Sequence, residues 1–374
     1  MKIYTPFVFV LFFLLAPARY LFSQNTSQDS LQVVNEVVEN IPEVTYISFS
    51  GYVDTYYSKD NDVTHMVARY PQISPKRDEF RLNIASIGAK YLKNNVRANV
   101  TLQYGDIPDI FWTSGEQLIQ EANVGFSPGE NFWIDAGYFL TYIGAESIKP
   151  IDNNFGSLSM ISYYEPTYQT GVSFSYSKRQ FAAAIHLMNG YNVLTDNNKN
   201  KSFGLSLSFK PYKNIDLIYN NQAGNESSDP DVSKFRLYNN FIFKAYFGAH
   251  WNVIFQTDYC IQQNSSLIDT TAIGSALGGF LTAKYTINPK FSLALRAEYM
   301  ADFDGVLSGA YTNSLGEHTG LQCFGPTFAF EYRPISNAYV RADARYLKLL
   351  KNLQLFNNAR DYRLEGSVTM GVTF

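Results

Sequence analysis

The residues of this chain with the clearest chemical potential are charged side chains set among alternating apolar ones. Arg81, Arg97, Asp135, Asp258, Arg296, Glu298, Glu331, Arg341, Asp343, Arg345, Arg363 and Glu365 each lie in a stretch that alternates polar with apolar positions. Successive side chains of a strand point to opposite faces, so each stretch places its charges on one side and its apolar groups on the other. Six arginines against six acids compose a face that pairs its charges across neighbouring strands, lines water, or does both. Support for catalysis is thin. The chain has four histidines, His65, His186, His250 and His318, and none sits where a nucleophile, a base and an orienting carboxylate would converge. Cys260 and Cys323 show no CxxC or Cys/His spacing, so neither a metal site nor a cofactor is expected, and they read as lone thiols on distant strands. A net charge of -3 argues against nucleic acid, which calls for a basic patch.

Faces of this kind need strands to hold them, and the chain supplies strands almost throughout. Its last stretch, Asp361 to Phe374, alternates without a break: Leu364, Val368, Met370 and Phe374 fall on one side, Arg363, Glu365, Ser367 and Thr369 on the other. With breaks at Gly, Pro, Asn and Asp clusters, strands are expected near 46–57, 80–91, 96–104, 118–126, 132–143, 158–176, 181–188 and 203–209. Eight more follow near 215–223, 234–243, 249–261, 272–287, 291–302, 321–332, 338–347 and 362–374. The segment 158–176 is read as one bent strand, with Pro166 marking a bulge. That makes about 16 strands, and the links between them alternate short and long. Links such as Lys93 to Asn95 and Asn288 to Lys290 are tight, whereas Gly144 to Ser157 and Phe303 to Gly320 are extended. A soluble sandwich has no reason to produce that alternation; an antiparallel transmembrane barrel does. Within a barrel wall, an Arg or Lys turned toward lipid at midplane costs about 2 to 4 kcal/mol, so the charged faces are expected to point inward.

The start of the chain points to export. Residues 1–23 combine an early Lys2, an apolar run from Phe7 to Ala16 and a small residue at Ser23, the pattern of a cleaved signal peptide. Residues 24–45 follow as a periplasmic leader, a short helix or a disordered segment, and residues 46–374 form the barrel.

Several phrases resemble the OmpL-like β-barrel porin family, the second of the β-barrel porin families of Gram-negative outer membranes. They are FSGYVDTYYS at Phe49 to Ser58, DAGYFLTYIGAE at Asp135 to Glu146, YYEPTYQTGVSFSY at Tyr163 to Tyr176 and HLMNGYNVLTDNNKNKSFG at His186 to Gly204. The chain departs from the family pattern at Thr141, which is followed by Tyr142 instead of Pro. The resemblance implies an up-and-down transmembrane barrel in the outer membrane of a Gram-negative bacterium, forming a water-filled channel for small hydrophilic solutes and ions. It supplies no catalytic or binding residues. In that setting the twelve charges would line the pore. The loop carrying Glu146, Lys149 and Asp152, long and following a family-like motif, would fold inward as a constriction. Phe374 resembles the signal read by the barrel-assembly machinery. Expected partners are outer-membrane lipid, that machinery and the solutes themselves, while a homo-oligomer stays open by analogy with other porins. An adhesin or receptor acting through long loops is the alternative, and an outer-membrane hydrolase ranks last.

Overall fold

The computed structural model describes residues 46–62, 74–195, 200–227 and 232–374. The signal peptide and leader read in residues 1–45, together with His65, lie outside the described residues. Chain order begins β1 (Tyr46–Asp60), β2 (Phe80–Lys93), β3 (Val96–Tyr104), β4 (Ile119–Gly129), β5 (Phe132–Leu140) and β6 (Tyr168–Lys178). It continues through β7 (Phe181–Met188), β8 (Ser202–Tyr212), β9 (Ile215–Asn225), β10 (Phe235–Phe247), β11 (Trp251–Gln262), β12 (Gly274–Asn288) and β13 (Phe291–Asp302). A two-residue pair, β14 (Tyr311–Thr312) and β15 (His318–Thr319), makes a small hairpin of its own. The wall then resumes with β16 (Gln322–Ile335), β17 (Ala338–Leu349) and β18 (Tyr362–Thr373).

Sixteen of these strands pair antiparallel and close on themselves, β18 returning to β1 with Tyr52 opposite Thr373 and Asp60 opposite Glu365. Closure removes every sheet edge and satisfies the backbone strand to strand, as a bilayer requires. The alternation behaves as the sequence demands. Leu364, Val368 and Met370 are exposed on the outer side of β18, while Arg363 and Thr369, each beside one of them in the chain, are completely buried inside. One end of the barrel has links of two or three residues, helped by Asn94 and Asn131 in the left-handed region. The other end carries the long links, which contain α1 (Asp106–Phe111), α2 (Met160–Tyr164) and the β14–β15 hairpin.

The segment expected as a bent strand from 158 to 176 is corrected by the structure. Ser159 caps α2, its hydroxyl accepting from the Ser162 amide at 3.3 Å, and strand pairing begins only at Tyr168, opposite Leu140. Pro166 explains the break: it has no N–H to donate and holds Glu165 extended, so neither helix nor ladder continues through it. The count of sixteen is unaffected, because the segment still supplies one wall strand. The link it follows is longer than the expected Gly144 to Ser157 and runs from Thr141 to Thr167.

The interior also differs from an open hydrated cylinder. Ile107 and Trp112 from the link after β3, and Ile151 and Leu158 from the link after β5, pack with wall residues Tyr52, Ile84, Tyr138, Tyr168 and Tyr339 into one buried apolar cluster. Gly137, at φ 135°, twists β5 so that Tyr138 joins this cluster although Ala136 is exposed. Met160 of α2 anchors a second cluster with Met300, Leu321, Leu347 and Phe356. The wall side chains alone cannot fill so wide a barrel; loops entering it do.

Candidate functional site

The link from Thr141 to Thr167 lies inside the barrel. A buried loop strands its backbone N–H and C=O groups unless something bonds them. Here the inward charges do so. Arg296, completely buried, reaches the carboxylate of Glu146 at 2.8 Å, donates to the carbonyl of Ser157 at 2.7 Å and stands 4.7 Å over the ring of Phe155. Arg341, equally buried, donates to the carbonyls of Pro150 at 2.8 Å and Asn153 at 2.7 Å. Glu298 accepts from the Met160 amide at 2.6 Å and pairs with Arg345 at 2.7 Å, and Asp343 accepts from the Gly156 amide. Gln256 and Asn240 take the amides of Ala145 and Gly144 on β11 and β10. The loop is thus clamped to one side of the barrel, from β10 round to β18 and β1.

Glu331 is the hub beneath Arg341. Lys284 at 2.8 Å, Arg333 at 2.9 Å and Arg341 all converge on its carboxylate, and Arg333 also donates to the Ile151 carbonyl at 2.8 Å. Lys149 borders a recess of about 350 Å³ at the short-turn end, with Ser50, Tyr52, Ser86 and Asn337. Asp152 is exposed, with Lys149, Arg333 and Arg341 as the cations around it.

The remaining charges hold other loops or stay with the wall. Arg81 pairs with Asp106 of α1 at 2.7 Å; Arg97 pairs with Asp135 at 2.5 Å over the ring of Trp133. Arg363 pairs with Glu365 and lies over Phe356. Asp258 accepts from Tyr238 at 2.8 Å, and the side-chain amide of Gln256 donates both to it and to Glu165. Glu165, at the far root of the loop, has its carboxyl pushed well above the usual range, first by burial and then by the acidic Asp258 beside it. Its carboxyl also explains Gly144, at φ 95°, where a Cβ would meet a Glu165 oxygen at 2.1 Å.

All twelve charges named from the sequence therefore face inward, but nine of them, Asp135 included, are buried under loop or neighbour; Arg81, Arg97 and Glu365 are only half-buried. The opposite side of the barrel is different. Across β6 to β8, whose rows abut Ile218 and the buried Asn220 and Gln222 of β9, the inward residues stand in register: Ser177, Ala182 and Ser208; then Ser175, Ala184 and Ser206; then Ser173, His186 and Gly204. These are small or uncharged, and all but Gly204 are only half-buried. The sequence reading gave no lumen role to Lys284, Arg333, Glu165, Tyr142 or His186, although it noted Tyr142 as a departure from the family phrase and His186 as one of four histidines. Arg333 carried a usable signal, standing two positions from its partner Glu331 and so on the same face of β16, and Lys284 stands two positions from the buried Thr282 on the inward face of β12. Glu165 was hidden by the mistaken strand.

Compared with known proteins, residues 46–374 match the family described as "Putative beta-barrel porin-2, OmpL-like". No curated protein matches the sequence. Solved structures are similar in fold at low identity. OmpT, an outer membrane protein of Vibrio cholerae in trimer form, gives a TM-score of 0.59 at 11% identity, over 89% of this chain and 100% of that one. An anion-selective porin from Comamonas acidovorans gives 0.58 at 10%, over 88% and 100%. The outer membrane channel DcaP of Acinetobacter baumannii gives 0.57 at 11%, over 88% and 97%.

Proposed function

The chain belongs to the OmpL-like β-barrel porin family, and from that premise we propose that it is an outer-membrane porin whose lumen is constricted by Thr141 to Thr167. Small hydrophilic solutes and ions would cross it by passive diffusion. The observation that carries this reading is a loop clamped inside a closed sixteen-stranded barrel by buried arginines. In this reading the inward charges divide by task. Arg296, Arg341, Glu298, Glu331, Asp343 and Arg345 hold the constriction loop in place, Glu146 is its counter-charge, and Arg97 with Asp135 lines the water. Lys149 and Asp152 sit at the periplasmic mouth.

The short-turn end is periplasmic and the long-loop end faces outward, the usual sense for such barrels. Residues 1–23 direct export in a Gram-negative cell and residues 24–45 form the leader. Phe374 presents the terminal aromatic to the assembly machinery, and no hydrolytic role is assigned. A homo-oligomer is supported by the trimeric form of the Vibrio cholerae protein of similar fold. Purified protein in a planar bilayer tests the function: steady ohmic steps are expected. A correctly folded barrel that never conducts would remove the porin reading and favour a loop-borne adhesin.

A further inference from the structure

We propose that the solute path runs along the β6–β9 wall and that its narrowest point is the contact of Tyr142 with His186; this rests on the porin reading above. The two sides of the lumen are unequal. On the β13–β18 side, Arg296, Arg341 and Thr369 are buried beneath the clamped loop and offer a solute nothing. On the β6–β9 side, Ser175, Ala184 and Ser206 lie next to one another in register and stay half-buried, as side chains facing open volume do.

One row further from the short turns that volume ends. The ring of Tyr142, at the root of the constriction loop, lies parallel to the His186 imidazole, with centroids 4.0 Å apart and planes 8° apart. Its hydroxyl donates to the backbone carbonyl of Asn221 on β9 at 2.7 Å. Between those two points the ring passes over Gly204 of β8, where a Cβ would meet the phenol oxygen at 2.0 Å. A single side chain leaving the end of β5 therefore spans β7, β8 and β9. Beyond it Gln169 and Gln222 bond each other at 3.0 Å and are buried.

The Tyr142 ring is held by the stack, the hydrogen bond and packing against the apolar cluster of Ile143, Tyr238 and Cys260, with no ion pair of its own. It is the part of the loop whose displacement would connect the two ends of the lane. The lane itself carries hydroxyl and methyl groups, and the charges at its margins are paired, Lys210 with Asp216 at 3.4 Å and Arg97 with Asp135. Its lining suits small, uncharged, hydrogen-bonding solutes over ions of either sign.

The test uses the full-length barrel in planar bilayers, with folding checked by heat-modifiable migration in gels. Tyr142→Ala is expected to raise single-channel conductance at least about twofold by widening the narrowest point, while Tyr142→Phe, which keeps the ring, stays near the parent value. A second measurement leaves Tyr142 in place: the Ser206→Cys variant is treated with a positively charged methanethiosulfonate. Its conductance should fall and its reversal potential should move toward anion preference. The parent protein, whose Cys260 and Cys323 are buried, should not respond. A conducting parent that is indifferent both to Tyr142→Ala and to the label at position 206 overturns this path while leaving the porin reading intact. Silence of the parent and of Tyr142→Ala alike, in folded barrels, overturns both.

Discussion

At the residue scale, what distinguishes this lumen is that most of its charge is structural. Glu331 is shared by Lys284, Arg333 and Arg341, and Arg341 in turn bonds two carbonyls of the inner loop. Removing one member of a buried ionic cluster strands the others, so Glu331→Gln is expected to destabilise the folded barrel by about 3 to 5 kcal/mol. Urea unfolding in micelles would measure this, and an unchanged midpoint would show that the cluster contributes nothing. Glu165 makes a pH-dependent contribution of the opposite kind. Asp258 faces it from β11, Tyr238 from β10, Tyr191 from the link after β7 and Glu146 from its own loop. Because its folded pKa is raised above the ordinary value of about 4.3, its contribution is complete below that value and is lost as pH rises through the raised one. The inner loop should therefore become more open to proteolysis toward alkaline pH, and Glu165→Gln, which stays neutral, should flatten that dependence. The same steep rise in both proteins would clear Glu165 of the effect. The Glu331–Arg341 pair was legible as charges on one face of neighbouring strands, but the Glu165 contact was not, since Glu165 lies 93 positions from its facing carboxyl and only the closed wall brings them together.

At the element scale, the strands were legible and the loop interior was not, for one physical reason. A wall strand between lipid and lumen must alternate, so β18 announces itself through Arg363, Glu365 and Thr369 against Leu364, Val368 and Met370. A loop packed inside protein obeys no period, because its apolar residues, such as Ile151, Leu158 and Met160, point wherever a cluster accepts them. Tyr142 is instructive: the position where the sequence departs from the family phrase is the position that reaches across to β9. The end of β18 lets the proposed assembly signal be tested apart from stability. Phe374 exchanges backbone bonds with Gly51, at 2.7 and 3.0 Å, and so completes the seam, its ring lying over Gly51 while the residue as a whole stays exposed. Phe374→Ala keeps the backbone bonds and loses only the ring. It should lower the amount of barrel reaching the outer membrane in cells severalfold, while the purified protein refolds in detergent as the parent does. Equal cellular yields for the two would strip the terminal ring of its role as a signal.

At the scale of the whole molecule, the six arginines and six acids read from the sequence balance, and the structure adds the reason that balance matters little to passing ions. Arg296, Arg341, Arg345 and Arg363 are buried against their partners, so their fields are cancelled locally before reaching the lane along β6–β9. Inward cations that retain solvent contact are mostly paired, Arg81 with Asp106, Arg97 with Asp135 and Lys210 with Asp216, while Lys149 stands at the short-turn mouth. At physiological salt a charge is screened beyond about 8 Å, so the mouth can bias entry without controlling the lane. Weak selectivity between small cations and anions is therefore expected, measured as a reversal potential near zero across a salt gradient. The variants separate clamp from filter. Lys149→Gln should shift that potential slightly toward cations and leave conductance alone. Glu146→Gln removes the counter-charge of buried Arg296, so it should change conductance and current noise by loosening the loop, with selectivity hardly altered. A large selectivity change from Glu146→Gln with steady conductance would mean that Glu146 faces the ions after all, and that the path lies between the loop and the arginine wall.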